Sequence, residues 1–187
     1  MDGERWFDRS DDDWDALADR LPVTPCPHCR KVGHLIRHGV LTGYDDATPP
    51  RKAVRARRVF CTNRRRRPGC GRTVSVWLAD NIRRRSVTTR TLWHFLRRVA
   101  AGTLVAAVRD TATNLGGRTL RRIWVRFDRA QSRIRTALYS RCRPPTGPPD
   151  PGPRPVLAEV LAHLGAAFPD AACPLAAYQR ATGTFVL

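Results

Sequence analysis

The sequence has few of the features that mark membrane or secreted proteins. No apolar run reaches the roughly 18–20 residues that a membrane-spanning helix needs. The first fifteen residues carry seven acids and two arginines, without the basic-then-apolar pattern of a signal peptide. These absences predict a cytoplasmic protein in a reducing environment, where a framework of disulfides is not expected.

Acidic residues are nearly missing from residues 51–143, where 26 Lys and Arg side chains stand against three aspartates. The formal net charge of the whole chain is +18. Only Lys31 and Lys52 are lysines, so a coding preference for arginine accounts for part of the excess, but it does not explain the missing acids. A basic segment of this density predicts a polyanionic partner. Nucleic acid is the usual one, which implies a nucleoid-associated location.

Apolar periodicity divides the chain into helical and strand segments. Residues 10–21 show a helical stripe behind Ser10 as a cap, and short apolar segments typical of strands follow. Helical spacing returns after Arg85, with starts expected at Thr88 or Thr89, at Thr103 and near Arg118. Seven prolines then predict an extended linker before one more amphipathic helix.

The predicted fold class is therefore α+β. It combines a small β zinc ribbon, a helical helix-turn-helix domain, a proline-rich linker and a C-terminal helix. The predicted segments are an acidic helix at 1–22, the ribbon at 23–80, the helix-turn-helix at 86–140, the linker at 143–155 and the helical tail at 156–187.

Four of the six cysteines are spaced like the two ligand pairs of a zinc ribbon. Cys26 and Cys29 form a C-x-x-C pair, and Cys61 and Cys70 follow after strand-like segments. Four thiolates around a tetrahedral Zn²⁺ stabilise small domains that bury few large apolar side chains. The sequence predicts a structural zinc site with these four ligands.

The second cysteine pair encloses eight residues, where two are usual. The gap is either an insertion between ligands or a sign that Cys61 is not a ligand; a chain without metal is the remaining alternative. The histidines available as substitutes are His28, His34 and His38. A redox function for the C-x-x-C pair needs a βαβ context, whereas strands are expected here. Cys142 and Cys173 are expected to be ordinary thiols.

The helices predicted at 86–140 have the order of a helix-turn-helix, with a glycine-containing turn before the third. Arginine reads guanine edges and also clamps phosphates, although an arginine-covered helix is also common in soluble proteins that bind no DNA. The residues predicted to contact DNA are Arg64, Arg65, Arg66, Arg67, Arg83, Arg84, Arg85, Arg118, Thr119, Arg121, Arg122 and Arg126.

The order "CPHC…HG…R.RRVFC…GCGRTVSVW" followed by a helix-turn-helix resembles bacterial insertion-sequence proteins, namely the InsA-type regulators and the DNA-binding N-termini of related transposases. The resemblance covers about residues 24–130. It implies zinc ligation by Cys26, Cys29, Cys61 and Cys70, and recognition of the element's terminal inverted repeats and promoter. The spacing of the second cysteine pair departs from that family's pattern.

No arrangement of catalytic residues stands out in the sequence. A three-carboxylate transposase needs acids gathered on a large α/β core, and the acids after the helix-turn-helix are only Asp150, Glu159 and Asp170. The chain is therefore expected not to be an enzyme. Duplex DNA is the expected partner, with a transposase docked on the C-terminal tail and a homodimer as further interpretations. A general transcriptional regulator and a ribbon subunit that binds RNA or polymerase are the alternatives.

Overall fold

The computed structural model describes residues 6–8, 11–64, 68–83, 85–146 and 152–187. The chain forms two compact units. The strand unit comprises Met1–Tyr44 and Lys52–Ala79, and the helical unit comprises Asp45–Arg51 and Asp80–Leu187. The fold class is α+β, as predicted. None of the helices within the described ranges combines the length and the apolar character required to cross a membrane.

The described residues of the strand unit form one α-helix, a short 3-10 helix (Leu21–Val23) and one sheet. Its elements are β1 (Trp6–Asp8), α1 (Asp11–Arg20), β2 (Leu35–Tyr44), β3 (Lys52–Cys61) and β4 (Thr73–Leu78). The sheet order is β1-β4-β3-β2; β2, β3 and β4 are antiparallel, and the three residues of β1 run parallel to β4. A register shift between Arg37 and Val40 marks a bulge in β2. The antiparallel core of three strands is the part of the sheet that apolar patterning predicted.

Helix α1 covers one face of the sheet through its apolar stripe. Trp14 on α1 and Leu21 directly after the helix are buried against Leu35, Val59 and Val76. The outer positions are acidic, and Arg37 on β2 pairs with Asp15 at 3.7 Å and with Asp19 at 3.9 Å. The core of this unit also contains two buried cysteines, Cys26 and Cys61. Since a core of this size supplies little stability by itself, a cross-link through these cysteines would add stability to the unit.

The helical unit contains five helices among its described residues. They are α2 (Thr89–Ala101), α3 (Leu104–Asp110), α4 (Gly117–Tyr139), α5 (Pro155–Ala167) and α6 (Pro174–Thr182). Helix α2 packs against α3, α5 and α6, and α4 packs against α3 and α5. Thr88 caps α2 and Thr103 caps α3, each accepting a backbone N–H three residues further on. These caps agree with the starts expected from the sequence.

The C-terminal helices are part of the helical unit's core. The apolar faces of α5 and α6 are buried, and Tyr178 on α6 is fully buried. The guanidinium of Arg154, at the start of α5, lies 4.8 Å from the ring centre of Trp124 on α4. The tail therefore packs as an integral part of the unit, and a partner that docks there would meet the exposed side of α5, which carries Val156, Glu159 and Ala162.

The segment between β2 and β3 also belongs to the helical unit. The buried Asp46 carboxylate accepts hydrogen bonds from the Thr88 N–H at 2.7 Å and the Thr88 hydroxyl at 3.0 Å. The backbone carbonyl of Asp46 accepts from Asn114 N–H and Thr113 hydroxyl, both at 3.2 Å. This one residue therefore ties the cap of α2 to the turn that precedes α4. Sequence patterning predicted only a loop here.

Two elements were not predicted from the sequence. Helix α6 is buried around most of its circumference, so it shows no amphipathic stripe to recognise. Strand β1 has only three residues, too few for an alternating pattern. The expected cap Ser10 lies outside the described residues.

Candidate metal centre

The fold brings together the four predicted cysteines, which come from two separate turns of the strand unit. The sulfur atoms of Cys26, Cys29, Cys61 and Cys70 all lie within 4.8 Å of one another. Cys26 Sγ is 3.8 Å from Cys70 Sγ, and Cys29 Sγ is 3.7 Å from Cys61 Sγ. No histidine is part of this group, and His38 instead lies against the ring of Phe60.

These sulfur distances fit a tetrahedral metal ion. A metal bound by four sulfurs at about 2.3 Å separates them by about 3.8 Å, close to the two distances above. A disulfide would require about 2.05 Å, and all four thiols are free. The donor set alone, four thiolates, is one that Zn²⁺ or iron accepts.

The first cysteine pair forms a tight turn, termed here the first knuckle (residues 26–31). The Cys26 carbonyl accepts the Arg30 N–H at 2.8 Å, and the Cys26 N–H donates to the Lys31 carbonyl at 2.9 Å. Arg30 adopts a left-handed backbone conformation with φ of 62°. The Lys31 N–H donates to the Cys29 sulfur. Backbone donors thus stabilise negative charge on the ligand.

The second pair forms a turn with the same hydrogen bonds, termed the second knuckle (residues 61, 62 and 69–72). The Cys61 carbonyl accepts the Gly71 N–H at 2.9 Å, and the Cys61 N–H donates to the Arg72 carbonyl at 2.9 Å. Gly71 has φ of 68°, equivalent to Arg30. The Arg72 N–H donates to the Cys70 sulfur, as that of Lys31 does to Cys29.

The long spacing of the second pair is explained by an insertion. The Gly69 N–H donates to the Thr62 carbonyl at 3.0 Å, so the chain returns to its starting point after residues 63–68. Without these six residues the sequence would read Cys-Thr-Gly-Cys, an ordinary C-x-x-C. A Cβ on Gly69 would lie 2.7 Å from Cys61 Sγ and closer still to the Thr62 oxygen, so the closure requires glycine. The Lys31 ammonium donates to the Pro68 carbonyl at 2.7 Å and holds the end of the insertion.

Sequence reasoning did not identify the supporting residues Lys31, Gly69 and Gly71. The signal was nevertheless present, because "CPHCRK" and "CT…GCGR" align when the insertion is removed. In both, the residue after the second cysteine takes the left-handed conformation.

The thiols of the cluster differ in pKa. The Lys31 N–H lowers the pKa of Cys29 to about 7, whereas burial raises the pKa of Cys61 to about 12 and also raises that of Cys70. Without a metal, Cys61 and Cys70 therefore hold their protons at neutral pH. A bound cation has to displace these protons.

Metal affinity is consequently expected to rise with pH between 6 and 8. Cys61 and Cys70 each release one proton, because their pKa values lie above this range, and each proton contributes about a tenfold gain per pH unit. Competition with a chromophoric chelator at several pH values measures the slope, and an indicator dye in weak buffer counts the protons. An affinity that does not change with pH would contradict thiolate ligation.

The structure places the predicted DNA-contacting residues in several environments. Arg64 is exposed, and Arg83 and Arg85 are half-buried, with Arg83 lying 5.6 Å from the ring centre of Phe185. Residues 65–67 and Arg84 lie outside the described residues. The remaining five are all exposed along the first half of α4: Arg118, Thr119, Arg121, Arg122 and Arg126.

The comparisons with known proteins give no relative. No family model, no curated protein and no solved structure matches the chain.

Proposed function

We propose that the protein is a zinc-stabilised DNA-binding protein. The strand unit would be a zinc ribbon in which Zn²⁺ holds the first and second knuckles together. The donor set supports a structural metal such as zinc, since four thiolates in a closed tetrahedron leave no open position for a substrate. The metal would therefore supply folding energy. The metal would take no part in catalysis.

Duplex DNA is proposed to bind along the first half of α4. This helix carries seven arginines and one aspartate, and its apolar side is buried in the helical unit. Arg118, Arg122 and Arg126 follow at four-residue spacing, which places them in one row about 12 Å long. An α-helix is about 10–12 Å in diameter with its side chains, so α4 fits the DNA major groove, which is about 12 Å wide. This exposed row is the observation that carries the proposal.

Helices α2, α3 and α4 would form the helix-turn-helix, with α4 as the recognition helix. Gly117 supports close packing at its start, since a Cβ there would lie 2.9 Å from a Val108 methyl group on α3. Further along, Arg133 donates to the Phe185 carbonyl at 2.9 Å, so this side chain is held by the C-terminus. Base contacts are therefore assigned to the N-terminal half of α4.

A mobile element is the proposed setting, on the basis of the resemblance to insertion-sequence proteins. The protein would bind the element's ends or promoter, and another polypeptide would supply the strand-transfer chemistry. A neighbouring reading frame for a three-carboxylate nuclease between inverted repeats would support this setting. A gene without such neighbours would favour a general transcriptional regulator.

Replacing Arg122 with alanine is expected to weaken binding to a selected duplex by roughly 5- to 150-fold, the value of one bidentate contact to a base. Binding to random duplex should fall much less, because that binding depends on phosphates. Selection from a random duplex pool followed by salt-titrated gel shifts measures both affinities.

Arg129→Ala is the matched control, since Arg129 is exposed on the same helix, about two turns further along. This control should weaken binding to the selected duplex and to random duplex by the same factor. If Arg122→Ala lowered the affinity for both duplexes by the same factor, base reading by α4 would be refuted. Stronger binding to structured RNA than to duplex DNA would favour the RNA-binding alternative.

A further inference from the structure

The sheet face opposite α1 carries an aromatic surface, termed here the His38–Phe60 face. The rings of His38 on β2 and Phe60 on β3 lie with their centres 5.2 Å apart and their planes tilted by 32°. His38 is exposed and Phe60 is half-buried. Arg58 lies on the same side of β3, two residues before Phe60.

The bulge in β2 produces this arrangement. Arg37 pairs with Val59 and Val40 pairs with Arg57, so His38 and Gly39 together stand opposite Arg58. Gly39 has φ of 101°, which favours glycine. A bulge of this kind redirects a neighbouring side chain, and here it accompanies the contact of His38 with Phe60.

The polar surroundings favour an anionic ligand. Phe60 pairs with Thr73, and Arg58 pairs with Ser75, so one hydroxyl residue stands next to Phe60 and another next to Arg58. Strands β2, β3 and β4 contain five Lys or Arg residues and no acid. On the opposite face, Arg37 and Arg57 lie 5.9 and 5.8 Å from the ring centre of Trp14, beneath the acidic helix α1. These three strands supply no carboxylate to the His38–Phe60 face.

We infer that the His38–Phe60 face binds the unpaired bases of single-stranded nucleic acid. A base would stack on the exposed imidazole and the edge of Phe60, while Arg58 and the hydroxyl groups contact the backbone. Exposed aromatic side chains beside cations, on strands that carry no acid, are the features by which proteins bind single strands with little sequence preference. This site is separate from the proposed duplex contact on α4 and does not depend on it.

The test uses the full chain, loaded with metal, and a fluorescein-labelled oligothymidylate of about 12 nucleotides, within the usual site size. His38→Ala and Phe60→Leu are each expected to weaken binding roughly 5- to 150-fold, the range for one stacked base. Val40→Ala is the matched control, because Val40 is exposed on the same strand but pairs with Arg57 on the other face. It should leave the affinity unchanged.

A single 2-aminopurine in the oligonucleotide reports stacking directly. Its fluorescence should be quenched by the native protein and recover in His38→Ala. An oligouridylate of equal length distinguishes RNA from DNA as the natural strand, and tighter binding of either supports the inference. The inference is overturned if His38→Ala and Phe60→Leu both bind oligothymidylate as tightly as the native protein. It is also overturned if these variants lose as much affinity for duplex DNA as for the single strand. Arg122→Ala should affect only the duplex, so failure of the α4 proposal is recognised separately.

Discussion

Replacing Cys61 with serine is expected to abolish stoichiometric metal binding and to unfold the strand unit. Cys61 Sγ lies 3.7 Å from Cys29 Sγ, and Cys61 is fully buried beside Trp14 and Val59. The substitution removes a ligand and leaves a hydroxyl in an apolar site. Structural zinc sites contribute about 10–16 kcal/mol in small domains, as much as the total stability of a typical domain, about 5–15 kcal/mol. Metal analysis and near-ultraviolet circular dichroism measure the two effects.

Two control variants make this result specific. Cys142→Ser changes a free thiol outside the cluster and should retain one metal per chain. His34→Ala removes a histidine that sequence spacing left open as a ligand, and it should also retain the metal. A Cys61→Ser protein that stays folded, with or without metal, would disprove the four-cysteine site. Loss of metal in His34→Ala alone would point to a mixed site.

Deleting residues 63–68 is expected to preserve the metal site and to weaken DNA binding strongly. Thr62 and Gly69 are already within hydrogen-bonding distance, so their direct connection would create Cys-Thr-Gly-Cys with little change in backbone path. The deletion removes four arginines. If each neutralises one phosphate, the slope of log affinity against log salt falls by up to about 3.6. At 0.1 M salt this is a loss on the order of a thousandfold.

Salt titrations of duplex binding measure that slope, and metal analysis confirms the site. A second variant keeps the insertion at full length but replaces residues 64–67 with serine, which separates charge from loop length. The slope of log affinity against log salt should decrease by the same amount in both variants. An unchanged slope in both would show that the insertion does not contact phosphate, and loss of metal in the deletion alone would show that the insertion is needed to form the second knuckle.

Much of the fold follows from local patterns in the sequence. Strands β2, β3 and β4 appear in the sequence as short apolar segments between cysteines and turns, and α2 and α4 repeat apolar residues every three or four positions. Such periodicities depend only on which face of an element is buried. Two elements that lack such a pattern were not predicted. Most of the surface of α6 is buried, and β1 is too short to show alternation.

The sequence by itself was enough to predict the four cysteine ligands, the arginine-rich face of α4 and the large positive charge. Only the tertiary structure decided that Cys61 belongs to the cluster, because the hydrogen bond from Gly69 to Thr62 closes a gap that spacing alone leaves ambiguous. It also decided that Asp46 holds the start of α2 and the turn before α4, and that His38 meets Phe60 across a bulge. These contacts join residues distant in the chain or shifted in register, and no local pattern encodes them.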